Sequence, residues 1–134
     1  MYFKNDAALS ELVRMFETCE IHPGDFKHYQ HLAVALWYLK HFPYEEASEK
    51  MRGGIQRLAA AYGKMGYHET ITIFWLKLVR GYLANTSSRE AVFQSANKLG
   101  TEYCKSVIGD YYSEEILASG KHEWVEPDLK ALEF

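Results

Sequence analysis

Apolar residues recur at intervals of three or four along most of this 134-residue chain, and no stretch alternates apolar and polar positions between two hairpin turns. This spacing is that of one face of an α-helix, so the pattern predicts an all-α protein. The first helix is predicted from about Asp6 to Glu20, with an apolar stripe of Leu9, Leu12, Val13 and Phe16. Pro23 and Gly24 then break the chain, and Asp25 can cap a second helix that ends near the sequence HFP.

Two longer helices follow. The third is predicted to begin at Pro43, whose fixed φ suits a first helical turn, and its stripe consists of Tyr44, Ala47, Met51, Ile55, Leu58 and Tyr62. Gly53 and Gly54 interrupt that stripe, which predicts a kink or a close helix contact. The fourth helix, from about His68 to Ala84, is apolar on most of its circumference and is therefore expected in the middle of a bundle.

The last third of the chain is less regular. Ser87 and Glu90 have the spacing of a capping box and are predicted to open a fifth helix that runs towards Leu99 and Gly100. The remainder is broken at Gly109, Gly120 and Pro127. We therefore predict one domain over residues 1–134, a bundle of four to five main helices with a short irregular helical C-terminal segment, in which the second and fourth helices are neighbours.

Charge excludes some classes of partner. The formal net charge of −3 argues against a nucleic-acid-binding protein, which needs a surplus of Lys and Arg. The charge is uneven, because residues 50–105 contain nine Lys or Arg and three Glu, whereas residues 110–134 contain seven acidic residues and two Lys. Solvated helix faces are the preferred interpretation of this asymmetry. The alternative is a mildly cationic region that helps an anionic substrate to approach.

The cysteines and the apolar segments indicate a cytoplasmic protein. Cys19 and Cys104 are too few and too far apart for a disulfide framework, so reduced, buried thiols are expected. The most apolar stretch, residues 71–79, is interrupted by Lys77 and is too short to span a bilayer. No membrane partner is predicted. The many Tyr, Trp and Leu residues would support a homodimer formed through a helix face.

Two histidines lie on the apolar stripe of the second helix. His28 and His31 fall within an arc of about 140° together with Leu32, Ala35, Leu36 and Leu39, at 100° per residue. Both side chains are therefore expected to point towards the core. A polar group buried without a partner costs about 1–3 kcal/mol, so each ring needs water, a polar side chain or a metal ion beside it.

A third histidine is predicted to join them. His68 stands at the start of the buried fourth helix, in register with Thr72, Trp75 and Val79. Imidazoles at positions i and i+3 lie close enough to bind one ion, and a third ring from a neighbouring helix would complete a three-histidine face with open positions. We predict His28, His31 and His68 as ligands of a divalent transition metal, with Zn or Fe favoured. Glu69, as general base, and Tyr67 are the candidate catalytic residues beside them.

Three segments also resemble a group of uncharacterised small bacterial helical proteins. They are F-x-H-x-x-H-L at residues 26–32, Y-H-E-T at residues 67–70, and Y-Y-S at residues 111–113 followed by P-D at residues 127–128. The resemblance covers most of the chain. It implies that the histidine-bearing segments form one site, and it implies no substrate.

Three functions follow from these observations. The preferred one is a small metal-binding protein or metal-dependent enzyme that activates water or dioxygen, which a three-histidine face with open positions allows. The second is a metal-free binding module in which the same histidines line a pocket for a small anionic or aromatic molecule. The third is a structural domain that associates through an apolar helix face.

Overall fold

The computed structural model describes residues 2–86 and 89–134. Its α-helices are α1 Asp6–Glu17, α2 His28–His41, α3 Tyr44–Ala61, α4 Glu69–Ala84, α5 Val92–Glu102 and α6 Glu114–Ser119. Short 3₁₀-helices occupy Pro23–Asp25 and Lys105–Asp110. The predicted all-α fold is confirmed, since neither described range contains a strand.

Helix α2 is the centre of the bundle. It packs against α1, α3, α4 and α5, and it buries residues on all sides, namely Leu32, Ala33, Val34, Ala35, Leu36 and Tyr38. The sequence pattern predicts α4 in this central position, but α4 packs mainly against α2 and α3. The predicted contact between the second and fourth helices is confirmed.

The helix ends differ from the predicted ones. The side chain of Gln30 accepts a hydrogen bond from the main-chain N–H of Lys27 at 2.7 Å and closes the first turn of α2, while Asp25 belongs to the preceding 3₁₀-helix. Gln94 accepts in the same way from the N–H of Ala91, at 3.2 Å, where α5 begins. In the predicted capping box, Ser87 lies outside the described residues.

Helix α1 ends three residues earlier than predicted. Its last residue is Glu17, and Cys19 then adopts a φ of 58°, in the left-handed region. That conformation ends the helix, and it is uncommon for a residue with a side chain. Cys19 is half-buried, whereas Cys104 is exposed, so the expectation of two buried thiols is wrong for Cys104.

The C-terminal segment is anchored to the start of α4. The buried hydroxyl of Thr70 lies 2.7 Å from the carbonyl of Gly120 and 2.9 Å from that of Glu123, and it accepts from the N–H of Val125 at 3.2 Å. The main-chain N–H groups of Glu69 and Thr70 donate to the carbonyls of Lys121 and Gly120. This contact, which we call the α4–α6 clasp, joins residues 68–71 to residues 117–125.

The outer surface carries few large apolar side chains. The exposed ones within the described residues are Tyr2, Tyr62, Met65 and Leu129, which come from three separate parts of the chain. The homodimer predicted from the sequence therefore stays a prediction. None of the described helices is both long enough and apolar enough to cross a membrane.

The glycine pair of α3 marks a close helix contact, as predicted. A Cβ atom at Gly54 would lie 2.3 Å from the ring of Phe16 on α1, whereas at Gly53 the nearest atom is the flexible end of Arg57, at 3.2 Å. The absence of a side chain at Gly54 therefore lets α1 and α3 touch.

This difference between neighbouring glycines predicts opposite effects of one substitution. Gly54→Ala should lower the free energy of unfolding by about 1–3 kcal/mol, since the methyl group overlaps a buried ring. The control Gly53→Ala should raise it by up to about 1 kcal/mol through helix propensity. Urea unfolding followed by circular dichroism measures both. A Gly54→Ala protein as stable as Gly53→Ala would contradict the packing described here.

Candidate functional site

One cavity of about 540 Å³ lies between α2, α3, α4 and the 3₁₀-helix Lys105–Asp110. Most of its wall is apolar or aromatic. All three predicted metal ligands line it, together with Phe26, Lys27, Ala35, Met51, Ile55, Gly66, Tyr67, Ile71, Thr72, Trp75, Leu76, Lys105 and Ile108. His28 and His31 of the second helix therefore share one cavity with His68, which stands at the start of the fourth helix.

The ring of His28 is fixed at the first residue of α2. Its Nε2 donates to the main-chain carbonyl of Tyr103 at 2.9 Å, and its ring meets that of Trp75 edge to face with the centroids 4.6 Å apart. Burial lowers the pKa of His28, and the positive charge of Lys105 lowers it further. The ring is therefore held in the neutral form, with Nδ1 left as a hydrogen-bond acceptor.

His31 lies one turn further along α2. Its ring packs on that of Phe26, with the centroids 4.0 Å apart. Burial lowers the pKa of His31 to about 4, and nearby His28 adds to that effect. At neutral pH the side chain is uncharged, so it contributes a flat, weakly polar surface to the wall of the cavity.

His68 precedes α4 and caps it. Its Nδ1 accepts from the main-chain N–H of Ile71 at 3.2 Å, and its Nε2 donates to the carbonyl of Leu117 at 2.9 Å. Both ring nitrogens are therefore engaged within the protein. Burial lowers the pKa of His68, which fits a neutral ring that accepts at one nitrogen and donates at the other.

The two candidate catalytic residues form a separate network. Glu69 does not line the cavity. Its carboxylate forms an ion pair with Arg52, whose Nε and Nη2 lie 3.0 and 2.7 Å from the carboxylate oxygens. The hydroxyl of Tyr67, which does line the cavity, donates to the same carboxylate. Burial and this carboxylate raise the pKa of Tyr67 to about 12. The network fixes the loop that leads into α4.

The arrangement constrains the predicted metal site. Among residues 2–86 and 89–134, no group of three or more His, Cys, Asp or Glu side chains is placed to hold a metal ion. His28 and His31 are close in sequence on one helix face, but His68 would have to release the N–H of Ile71 or the carbonyl of Leu117 to join them. The three-histidine metal site stays a prediction.

Sequence reasoning missed three residues of the cavity region. Lys27 and Lys105 line the cavity, and Thr70 holds the α4–α6 clasp. Lys27 could have been found, because it directly precedes His28 where the second helix begins. The position of Lys105 depends on the contact between His28 and Tyr103, which are 75 residues apart. No local sequence pattern predicts that contact.

Comparison of the chain with models of protein families, with curated proteins and with solved structures gives no match in any of the three. These comparisons therefore do not test the resemblance to the group of small bacterial proteins. The residues that line the cavity are the basis on which its function is inferred.

The low pKa of His31 predicts a pH dependence of stability. Between pH 6.5 and 4 the unfolded chain carries a proton on this residue that the folded protein does not. Unfolding is therefore favoured as the pH falls through this window, by up to about 1.4 kcal/mol per pH unit, and the stabilisation is fully present above pH 6.5.

The His31→Leu protein should lose this slope in urea unfolding measured from pH 7 to pH 4. Acidic residues titrate in the same range, so the quantity to compare is the difference from the wild type. His122→Leu is the control, since His122 is exposed and should leave the slope unchanged. An unchanged slope in His31→Leu would show that His31 is protonated as readily in the folded protein as in the unfolded chain.

Proposed function

We propose that this protein binds a small apolar or aromatic molecule in the cavity between α2, α3 and α4. The observation that carries the proposal is the cavity itself, with its volume of about 540 Å³ and its mainly apolar wall. Cavities of roughly 300–1,000 Å³ with a few polar groups are typical of small-molecule sites. The protein would belong to the binding modules, and no metal is required for this role.

Ring surfaces support an aromatic ligand. Two ring pairs stand in the wall, Phe26 with His31 and His28 with Trp75. Aromatic rings attract one another in offset and edge-to-face arrangements, which add about 0.5–1.5 kcal/mol to the effect of burial alone. A flat ligand would find both kinds of partner here.

The polar groups of the wall support a preformed site. His28 and His68 are each tied to a main-chain carbonyl, and Tyr67 is tied to a carboxylate. Side chains held by such bonds do not need to be ordered when a ligand binds, and lower ordering costs increase affinity. We infer that the cavity keeps its shape when empty.

A catalytic role for Glu69 and Tyr67 has less support. The carboxylate of Glu69 is paired with Arg52 and does not line the cavity, so a base would first have to be freed. Binding needs no such rearrangement. A cytoplasmic location is part of the proposal, because the described chain contains no disulfide and both cysteines are free thiols.

Isothermal titration with 2-naphthylmethanol and 1-octanol tests the proposal. We expect saturable binding of at least one probe with a dissociation constant below about 1 mM, or about −4 kcal/mol. Ile71→Trp fills the cavity from α4 and should weaken that binding at least tenfold. Ile73→Trp is the matched control on the same helix, since Ile73 is half-buried but does not line the cavity. Failure of both probes to bind, or equal binding by the two variants, would overturn the proposal.

Elemental analysis separates this proposal from the metal-dependent one. Protein purified without a metal-affinity tag should contain well below one equivalent of Zn or Fe and should still bind the probe. A near-stoichiometric metal content that is lost in the His28→Ala/His31→Ala protein but kept in His122→Ala would instead establish a metal centre. The second variant controls for nonspecific binding at an exposed histidine.

A further inference from the structure

The charges around the cavity are of one sign. The charged residues of its lining are Lys27 and Lys105, and the lining contains no Asp or Glu. The carboxylate next in sequence to His68, that of Glu69, is bound by Arg52 at 2.7 Å and does not offset the lysines. The positive charge at the cavity is therefore not balanced by a carboxylate of its lining.

Four lysines elsewhere on the described surface have a charged or aromatic partner. Lys98 and Lys130 form ion pairs with Glu90 and Glu133, and Lys50 and Lys77 lie over the rings of Phe42 and Trp124. Lys27 and Lys105 are exposed, and no ion pair joins either of them to a described acidic residue. Their ammonium groups remain available at the edge of the cavity.

The start of α2 adds positive potential at the same place. Lys27 and His28 stand at its first turn, where unpaired main-chain N–H groups and the helix dipole favour an anion. The N–H groups of His28 and Tyr29 donate to no described residue. Lys105 lines the same cavity and lies two residues after Tyr103, whose carbonyl accepts from His28, so lysines from two distant parts of the chain meet at this cavity.

We infer that the natural ligand is a small organic acid, with an apolar or aromatic body inside the cavity and one anionic group held at its edge by Lys27 and Lys105. This inference rests on the proposed function, whose cavity it extends with a defined polar end. The apolar body gives affinity through burial, and the two lysines select the charge of the ligand. Positively charged analogues of the same shape are rejected.

Three probes with one ring system and different charges test the inference: 2-naphthoate, 2-naphthylmethanol and 2-naphthylmethylamine. By titration calorimetry at low salt, the wild-type protein should bind the carboxylate at least tenfold more tightly than the alcohol and the alcohol more tightly than the amine. The preference for the carboxylate should shrink in 1 M NaCl, where the Debye length is about 3 Å.

A charge reversal assigns the preference to the two lysines. In Lys27→Glu/Lys105→Glu, affinity for the carboxylate should fall at least tenfold, affinity for the amine should rise, and that for the alcohol should stay within about twofold. Lys4→Glu/Lys64→Glu is the matched control, because it has the same net charge and changes exposed lysines that do not line the cavity. It should retain most of the wild-type preference.

The outcomes distinguish the two proposals. Equal affinity of the wild-type protein for the carboxylate and the alcohol would overturn the inference and leave the proposed function standing. An equal loss of carboxylate binding in the control double variant would also overturn it, since net charge alone would then be responsible. If no probe binds at all, including 1-octanol, the proposed function is wrong and the inference falls with it.

Discussion

The amino end of α4 meets the carboxyl end of α6, and the geometry of the site depends on that contact. The first N–H groups of any helix lack partners within the helix and need acceptors from elsewhere. Here the carbonyls of Lys121 and Gly120 accept from the N–H groups of Glu69 and Thr70. The ring of His68 accepts from the N–H of Ile71. The negative end of one helix thus faces the positive end of another, a favourable arrangement of dipoles. His68 is held by both helices at once.

This contact gives a structural role to each residue of a segment whose composition suggests catalysis or metal binding. Each residue of Y-H-E-T has a partner that fixes the chain: Tyr67 and Arg52 meet at Glu69, His68 caps α4, and Thr70 binds three main-chain groups. A histidine and a glutamate in sequence suggest a base or a ligand. The same polar atoms satisfy a helix end that would otherwise be unpaired, which is the commoner need in a helical bundle.

The sequence predicted those features that depend on local periodicity. The stripe of Leu9, Leu12, Val13 and Phe16 is buried as expected, and the two core-facing histidines of α2 do line a cavity with His68. Periodicity is visible locally because a helix repeats every 3.6 residues. Helix ends were less predictable: Gln30 and Gln94 accept from Lys27 and Ala91 at the starts of α2 and α5, and Asp25, the predicted cap of the second helix, lies in the preceding 3₁₀-helix.

Features that depend on distant residues could not be derived. The central place of α2, instead of α4, depends on its contacts with α1, α3, α4 and α5, and a single helix pattern does not specify the neighbours of that helix. Lys27 and Lys105 both line the cavity, and the hydrogen bond between their neighbours His28 and Tyr103 connects these two parts of the chain. Lys27 is marked only by its place before His28, and Lys105 has no local signature, since a charge on a predicted surface is ordinarily solvated.

The α4–α6 clasp also affects the order in which parts of the chain fold. Thr70 and Gly120 are 50 residues apart, and closing a loop of that length costs chain entropy before the hydrogen bonds can form. The helices α1 to α3 pack through shorter loops. The ring of His68 can gain its Leu117 partner only once α6 is present, so we expect the part of the cavity wall that His68 forms to be fixed later than the part formed by α2 and α3. A nascent chain that has emerged only as far as α5 would thus lack the residues that close the start of α4, and partly folded chains of this kind expose apolar surface that chaperones bind.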